Sequence, residues 1–257
     1  MQNDQRRADG MLYVLSDVHG QSRRFDSILK QIVLRPEDTL YILGDVIDRN
    51  PDGIRILRQI MNMANVKMLL GNHEWMMLKT LYDPVPAHVD CPAMYLRQAK
   101  ERWYRNGGDV THAYLKRIRK TVRQEMFAYL SGLPLSYEVN VDGQSYTLVH
   151  AAPAELYPDY AQEFEDVRTF AVWMRFADHF PKLDGRTVIF GHTTTKRYQN
   201  CNPMQIWYGN GWIGIDCGCS FPEGGDVRSG YFGRLACLRL DDGKVFYSEE
   251  PFGPSGI

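Results

Sequence analysis

Leu69-Leu70-Gly71-Asn72-His73-Glu74 is the stretch whose reading decides the fold. An apolar run from Val66 to Leu70 climbs to a glycine and then presents three polar side chains in a row. A short apolar run closed by a turn residue reads as a buried strand. Such a strand delivers its polar groups at its carboxyl end, where ligands sit in open α/β sheets. Two earlier stretches have the same form: Leu15-Ser16-Asp17-Val18-His19-Gly20 and Leu43-Gly44-Asp45-Val46-Ile47-Asp48-Arg49. Three successive strand ends carrying Asp, His or Asn point to one metal site built from converging loops.

Between these strand ends the periodicity is helical. Phe25, Ile28, Leu29, Ile32 and Val33 fall at i, i+3, i+4, i+7 and i+8, an amphipathic helix over 21–34. Asn50-Pro51 reads as an N-cap followed by proline at the first helical position, with Ile54, Leu57, Met61 and Ala64 as the buried stripe behind it. A third helix follows from about Glu74 to Leu81. This βαβαβα alternation predicts parallel strands with right-handed crossovers.

The pattern breaks at Tyr82-Asp83-Pro84-Val85-Pro86. Residues 83–133 read as helical over 94–105 and 110–130, with Ile118, Val122, Met126 and Leu130 as a stripe. At about 50 residues and with no evident core of its own, the segment reads as a helical cap inserted in a single domain spanning 1–257. Nine Lys and Arg there, among them Lys116, Arg119, Lys120 and Arg123, stand against five Asp and Glu. A cleft-lining face and a solvated one both fit that excess. Beyond Gly132, strands are expected at 135–141 and 145–149 around an Asp142-Gly143 hairpin turn. A helix is expected over about 160–176, and a strand over 187–190 that ends at Gly191-His192. Antiparallel strands at 205–208, 212–215, 234–240 and 244–247 complete a second sheet.

The chain has 257 residues, a net charge of -1, 44% hydrophobic and 24% charged residues, an ordinary globular composition. Near-zero charge excludes a dedicated nucleic-acid binder, which needs a cationic surface. No apolar run approaches the ~20 residues that cross a bilayer, so no membrane association is expected. Met1 to Asp9 is polar and lacks the apolar centre of a secretory leader. Five cysteines without framework spacing suggest reduced thiols in a cytoplasmic protein. Cys217-Gly218-Cys219 lacks the two-residue spacer of metal and redox pairs and reads as packing.

The strand ends carry Asp17, His19, Asp45, Asp48, Asn72, His73, His150 and His192. Carboxylate, imidazole and amide oxygen without thiolate suit a hard-to-borderline divalent ion: manganese, iron or zinc. The donors are too many for one four-coordinate ion, so two ions sharing a carboxylate fit better. His88, His112 and His179 do not follow an apolar run and are left outside the site.

Asp17-Val18-His19-Gly20, Gly44-Asp45-Val46-Ile47-Asp48-Arg49 and Gly71-Asn72-His73-Glu74, in this order, resemble the phosphoprotein-phosphatase family of metallophosphoesterases, notably its bacterial and phage serine/threonine phosphatases. The resemblance extends to His150, Trp173-Met174-Arg175 and Gly191-His192. It implies a calcineurin-like α/β fold, a four-layer αββα sandwich of two mixed sheets. It also implies two divalent ions, manganese first, held by Asp17, His19 and Asp45 and by Asp45, Asn72, His150 and His192. His73 would be the general acid, Asp48 its orienter, and Arg49, Asn72 and Arg175 the phosphate-binding groups. The nucleophile would be a metal-bound hydroxide attacking in line. Ser16, Asn50 and Ala151-Ala152 stand where the family usually has glycine or a glycine-containing pair; Asn50 tolerates the positive φ that glycine would supply.

The resemblance favours phosphoserine or phosphothreonine of proteins as substrate, or a small phosphorylated molecule. The alternative is a symmetrical dinucleoside tetraphosphate hydrolase, a subfamily that shares the motifs but typically ends the third with Asp where this chain has Glu74. A scaffold that binds metal without catalysis is disfavoured by the presence of both Asp48 and His73. The sequence leaves the oligomeric state open.

Overall fold

The computed structural model describes residues 10–176, 180–222, 225 and 230–248. The amino-terminal tail and His179 lie outside the described residues.

Two five-stranded sheets form the centre. The first runs β10-β9-β1-β2-β3, from β1 (Leu12–Leu15), β2 (Thr39–Ile42), β3 (Val66–Met68), β9 (Ala236–Arg239) and β10 (Val245–Tyr247). β1, β2 and β3 are parallel, joined by α1 (Ser22–Ile32) and α2 (Gly53–Met61). β9 and β10 close its far edge antiparallel. The second sheet runs β4-β5-β6-β8-β7, from β4 (Ser136–Val141), β5 (Gln144–Val149), β6 (Arg186–Phe190), β7 (Trp207–Tyr208) and β8 (Trp212–Gly214). Both sheets are mixed, as expected. Two assignments change. β9 and β10 join the first sheet, not the second, and β8 pairs β6 in parallel.

Period-two alternation builds the layers. Val14, Tyr41 and Leu43 face the second sheet and meet Leu148 and Ile189 in one apolar cluster. Tyr13, Leu15, Leu40 and Ile42 face outward and pack on Phe25, Ile28, Ile54 and Leu57 of the helices. Val149, Val188 and Phe190 face the opposite exterior, under Phe170 of α8 (Val167–Trp173). The result is helices, sheet, sheet, helices. Strands covered on both faces are apolar throughout, which is why they read as continuous runs.

Other expectations shift at element ends. In α1, Val33 leaves the stripe: it takes the left-handed C-cap position at φ 47° and is 60% exposed. In α2 the stripe is Ile54, Ile56, Leu57 and Ile60, and Ala64 is exposed. Asn50 is not its cap. The helix starts at Gly53, and the Asn50 amide instead donates to the carbonyl of His19 (2.9 Å). The third helix, α3 (Asn72–Leu81), starts at the motif itself. The single helix expected over 110–130 divides into α5 (Gly108–Leu115) and α6 (Lys120–Ser131), with Arg119 extended between them. A four-residue spacing drifts roughly 40° per step on a 3.6-residue helix. One straight helix therefore cannot keep the whole stripe on one surface, and the chain turns. Trp103 of α4 (Pro92–Arg105), Leu115, Met126 and Leu130 all join the apolar cluster of the first sheet. The helix expected over 160–176 divides into α7 (Tyr157–Tyr160) and α8, which starts at Val167, where Asp166 caps it by accepting from the Thr169 amide (2.6 Å). The Asp142-Gly143 turn is as expected, both residues with positive φ.

A β-branched residue in the left-handed region is strained by about 1–2 kcal/mol. Val33→Asn, which tolerates that conformation without glycine's extra chain entropy, should raise Tm by a few degrees in a thermal melt. An unchanged or lower Tm would show that the Val33 side chain returns more in packing than it costs.

Candidate metal centre

Glycine lets the motif loops meet. A side chain on Gly44 would lie 2.6 Å from Gly71 Cα, and one on Gly71 would lie 2.3 Å from Asp45 Oδ1. In the contact so formed, Glu74 accepts the backbone N–H groups of Asp45 (2.9 Å), Val46 (2.9 Å) and Ile47 (3.3 Å). Six residues of the loops, Asp17, His19, Asp45, Asp48, Arg49 and His192, take the left-handed conformation. Such strain persists only where surrounding contacts over-determine it, and it clusters at active sites. Asn50 keeps a negative φ; Asp48 and Arg49 make the turn in its place.

Asp45 sits at the middle. Its Oδ2 lies 3.7 Å from His19 Nε2, and its Oδ1 lies 3.6 Å from His150 Nε2. Asp17 Oδ1 is also 3.7 Å from His19 Nε2. Asn72 Oδ1 lies 2.9 Å from His150 Nε2 and 2.8 Å from His192 Nδ1. Two atoms each ~2.1 Å from one ion stand at most ~4.2 Å apart, so these separations suit shared ions. The donors fall into two groups that share Asp45: His19, Asp45 and His73, and Asp45, His150 and His192.

The proton inventory also favours a cation. His150 Nδ1 faces the Leu43 carbonyl at 2.6 Å, which can only accept, so Nδ1 carries the proton. Its Nε2 then directs a lone pair at Asn72 Oδ1, another acceptor. Burial, ahead of the opposing pull of Asp17, holds His150 below its ordinary range, so a second ring proton does not resolve the conflict. A divalent ion does. His19 is set the same way, with Nδ1 at the Ile47 carbonyl (3.1 Å) and Nε2 inward. The residues present therefore fit the two divalent ions expected from the motifs.

His73 and Asp48 form a pair, Nδ1 to Oδ2 at 2.8 Å, both fully buried. Asp48 Oδ2 also accepts the indole N–H of Trp103 (2.8 Å), and its own backbone N–H reaches Thr111 Oγ1 (3.1 Å). Arg49 Nη2 meets His73 Nε2 at 3.2 Å, and Arg175 Nε donates to His192 Nε2 at 3.1 Å. Burial first, then the charges of Arg49, His150 and Arg175, pushes His73 down to about 3 against the pull of Asp45. Its Nε2 also lies 3.8 Å from Asp45 Oδ2, a separation open to a ligand as well as to an acid.

Every site residue named from the sequence lies in this cluster. Trp103, Thr111 and Asp216 were missed. Asp216 is buried, beside Asp17, and lines the groove with Arg49, Arg175 and His192. It follows Ile213-Gly214-Ile215, a strand end like the others, and could have been found by extending that rule one strand further. Trp103 and Thr111 carry no such signal: on helices they read as packing. Two basic residues of 116–123 lie away from the centre. Lys120 and Arg123 line a separate surface groove with Tyr82, His112 and Phe127, and His112 itself bonds the Tyr104 hydroxyl (2.7 Å). Cys217 and Cys219 are buried free thiols.

A family model described as calcineurin-like phosphoesterase matches residues 11–209. A symmetrical bis(5'-nucleosyl)-tetraphosphatase of Acidovorax sp. (strain JS42) is 30% identical over 174 residues, 64% of this chain and 54% of that protein. Its namesake from Pectobacterium atrosepticum is 39% identical over 64 residues, 24% of this chain and 23% of that protein. The matched stretches thus span from about a quarter to about half of these relatives' length. Among solved structures, a "putative diadenosine tetraphosphatase" superposes with TM-score 0.59 at 19% identity, covering 96% of this chain and 97% of that one. A serine/threonine phosphatase from Saccharomyces cerevisiae gives 0.53 at 14%, covering 96% and 82%. At such identities the superpositions show the fold. No helix among the described residues is long and apolar enough to cross a membrane.

Burial raises Asp48 and Asp216 to about 7 and Glu74 to about 8, the last also pressed by Asp45. Above about pH 7.5 the site histidines, all lowered in the folded chain, are largely neutral folded or unfolded. These carboxyls then bind more protons in the folded chain than in the unfolded one, so stability falls as pH rises. Chelated protein should lose denaturant resistance between about pH 7.5 and 9, and restored manganese should flatten that slope. A rising slope in the chelated protein would contradict this charge assignment.

Proposed function

The chain belongs to the calcineurin-like phosphoesterase family, and from that premise we propose that it hydrolyses symmetrical dinucleoside tetraphosphates. The observation that carries the substrate class is the groove over the donor atoms. Arg49, Arg175, Lys196 and Arg197 line one cavity of about 460 Å³ together with His192, Asp216 and Tyr231. A phosphomonoester brings about two negative charges. A tetraphosphate chain brings more, and four cations along one groove complement it. The names of the relatives point the same way. The sequence clue for phosphoprotein, Glu74, is buried beneath the second motif and bonded to its amides, away from the groove.

In this reading Asp17, His19 and Asp45 hold one divalent ion, and Asp45, Asn72, His150 and His192 hold the other. Bound there, such ions neutralise phosphoryl oxygens and make water nucleophilic near neutral pH; manganese, iron and zinc all suit the donors. Arg49 and Arg175 grip phosphoryl oxygens with planar guanidinium forks, and the Asn72 amide faces the same oxygens. Asp48, by accepting from Nδ1, turns His73 Nε2 toward the leaving oxygen. His73 is held neutral, which makes it a weak acid at rest. An anhydride leaves as a phosphate, which needs little protonation, whereas a serine or threonine alkoxide needs a full proton. The state of His73 thus fits an anhydride better than an alkyl ester.

A substrate panel with manganese-loaded protein tests this. The tetraphosphate should give the highest kcat/KM and release nucleoside diphosphate in a 2:1 ratio to substrate. A higher kcat/KM for a phosphopeptide would return the chain to the protein-phosphatase reading. Exhaustive chelation should abolish turnover.

His73→Asn should lower kcat by ~10²–10⁴ on an alkyl phosphomonoester, the usual worth of general acid catalysis, and by less on the tetraphosphate. Metal content should stay at the parent's value. Loss of one ion equivalent would make His73 a ligand of the first group instead of the acid.

A further inference from the structure

The helix that opens with Asn72 and His73 also walls a second cavity. α3, α4 and α8 enclose a space of about 150 Å³. It abuts the metal-facing groove through Trp173, whose ring meets that of His192 edge-on with centroids 5.9 Å apart. Met76 follows Asn72 by one helical turn on the same face, so the cavity begins ~6 Å along the axis from the donor atoms.

Its walls are aromatic and charged. Trp75, Tyr95 and Trp173 supply rings, Arg102 supplies positive charge, and Lys79 pairs with Glu165 of the same wall at 3.5 Å. Lys79 Nζ and the Arg168 guanidinium each lie 4.9 Å from the centre of the Trp75 ring, which fixes that indole as a wall. One polar atom stands out. Thr169 belongs to the lining, and its Oγ1, covered in this structure, has no hydrogen-bond partner. A buried hydroxyl left unpaired is costly, and natural structures rarely tolerate one without a use. A packing void between helices would be apolar, whereas this one carries a hydroxyl able both to donate and to accept.

We propose that this cavity is the nucleobase subsite of the enzyme, a deepening that rests on the dinucleoside tetraphosphate reading. Flat rings suit a base of either size by stacking, and the Thr169 hydroxyl answers a ring nitrogen or exocyclic group at the base edge. The first phosphates of the same nucleotide would leave past Trp173 toward His192 and Arg175. One nucleoside is thereby anchored on α3 while its phosphate chain lies across the donors at the start of that helix.

The test separates the two readings. In kinetics with manganese-loaded protein, Tyr95→Ala should raise KM for the tetraphosphate on the order of tenfold, the usual worth of one stacking partner. Thr169→Val, which keeps shape and removes the hydroxyl, should raise it by several-fold. Neither should change nitrophenyl phosphate kinetics. Equal effects on both substrates, or none on the tetraphosphate, would overturn the assignment. If the parent fails to cleave the tetraphosphate at all, the functional reading falls by itself. The cavity is then judged by titrating adenosine, which has no phosphate, against the fluorescence of Trp75 and Trp173. Saturable quenching that both variants weaken supports the subsite. Quenching absent in the parent, or equal in all three proteins, overturns it.

Discussion

The carboxylate of Asp45 is the constraint on which the rest depends. Its two oxygens face opposite groups of donors, His19 on one side and His150 on the other. Its Oδ1 also accepts the backbone N–H of His73, tying the second motif to the third. A carboxylate so buried is disfavoured, and its proton affinity is accordingly raised. It becomes a favourable arrangement when positive charge lies between the donors, because opposite charge favours the ionised form. The site is thus a cluster of inward-facing electron pairs, and the apolar layers around it have to supply the stability that the polar cluster does not.

Those layers also hold the loops in their strained shapes. Six left-handed residues, in the first two motifs and at His192, would relax if the loops were free. Glu74 prevents this in the second motif by accepting three successive amides. The Asn50 amide does the same for the first motif through the His19 carbonyl. Trp103 and Thr111 reach the second motif from helices more than fifty residues later, fixing Asp48 from behind. The helices between α3 and β4 therefore serve the site through buried side chains. Two of their basic residues, Lys120 and Arg123, line another groove.

In the reading proposed above, substrate choice would follow from what the groove presents, not from motif spelling. Glu74 differs from the residue usual in the tetraphosphatase subfamily, yet its carboxylate points into the scaffold, where it bonds backbone and not ligand. The cations that line the groove come from three places in the chain: Arg49 after β2, Arg175 after α8, and Lys196 and Arg197 after β6. Only their convergence gives the groove a charge suited to a polyphosphate.

The sequence by itself determined the parallel half of the first sheet, the three loop motifs and the polar residues that the fold gathers at the centre. These are local properties: an apolar run of strand length, a glycine, and polar residues immediately after it. Element ends were less legible, because Val33, Asn50 and Arg119 take conformations set by contacts remote in sequence. The placing of β9 and β10 beside β1 was decided by tertiary structure alone, since alternation fixes which face a strand buries but not which sheet it joins. Likewise Trp103 and Thr111 carry ordinary helical residue types, and their bonds to Asp48 exist only because α4 and α5 fold back over the second motif. Asp216 lies between the two cases: its strand end was visible, and its proximity to Asp17 required the sheets to pack.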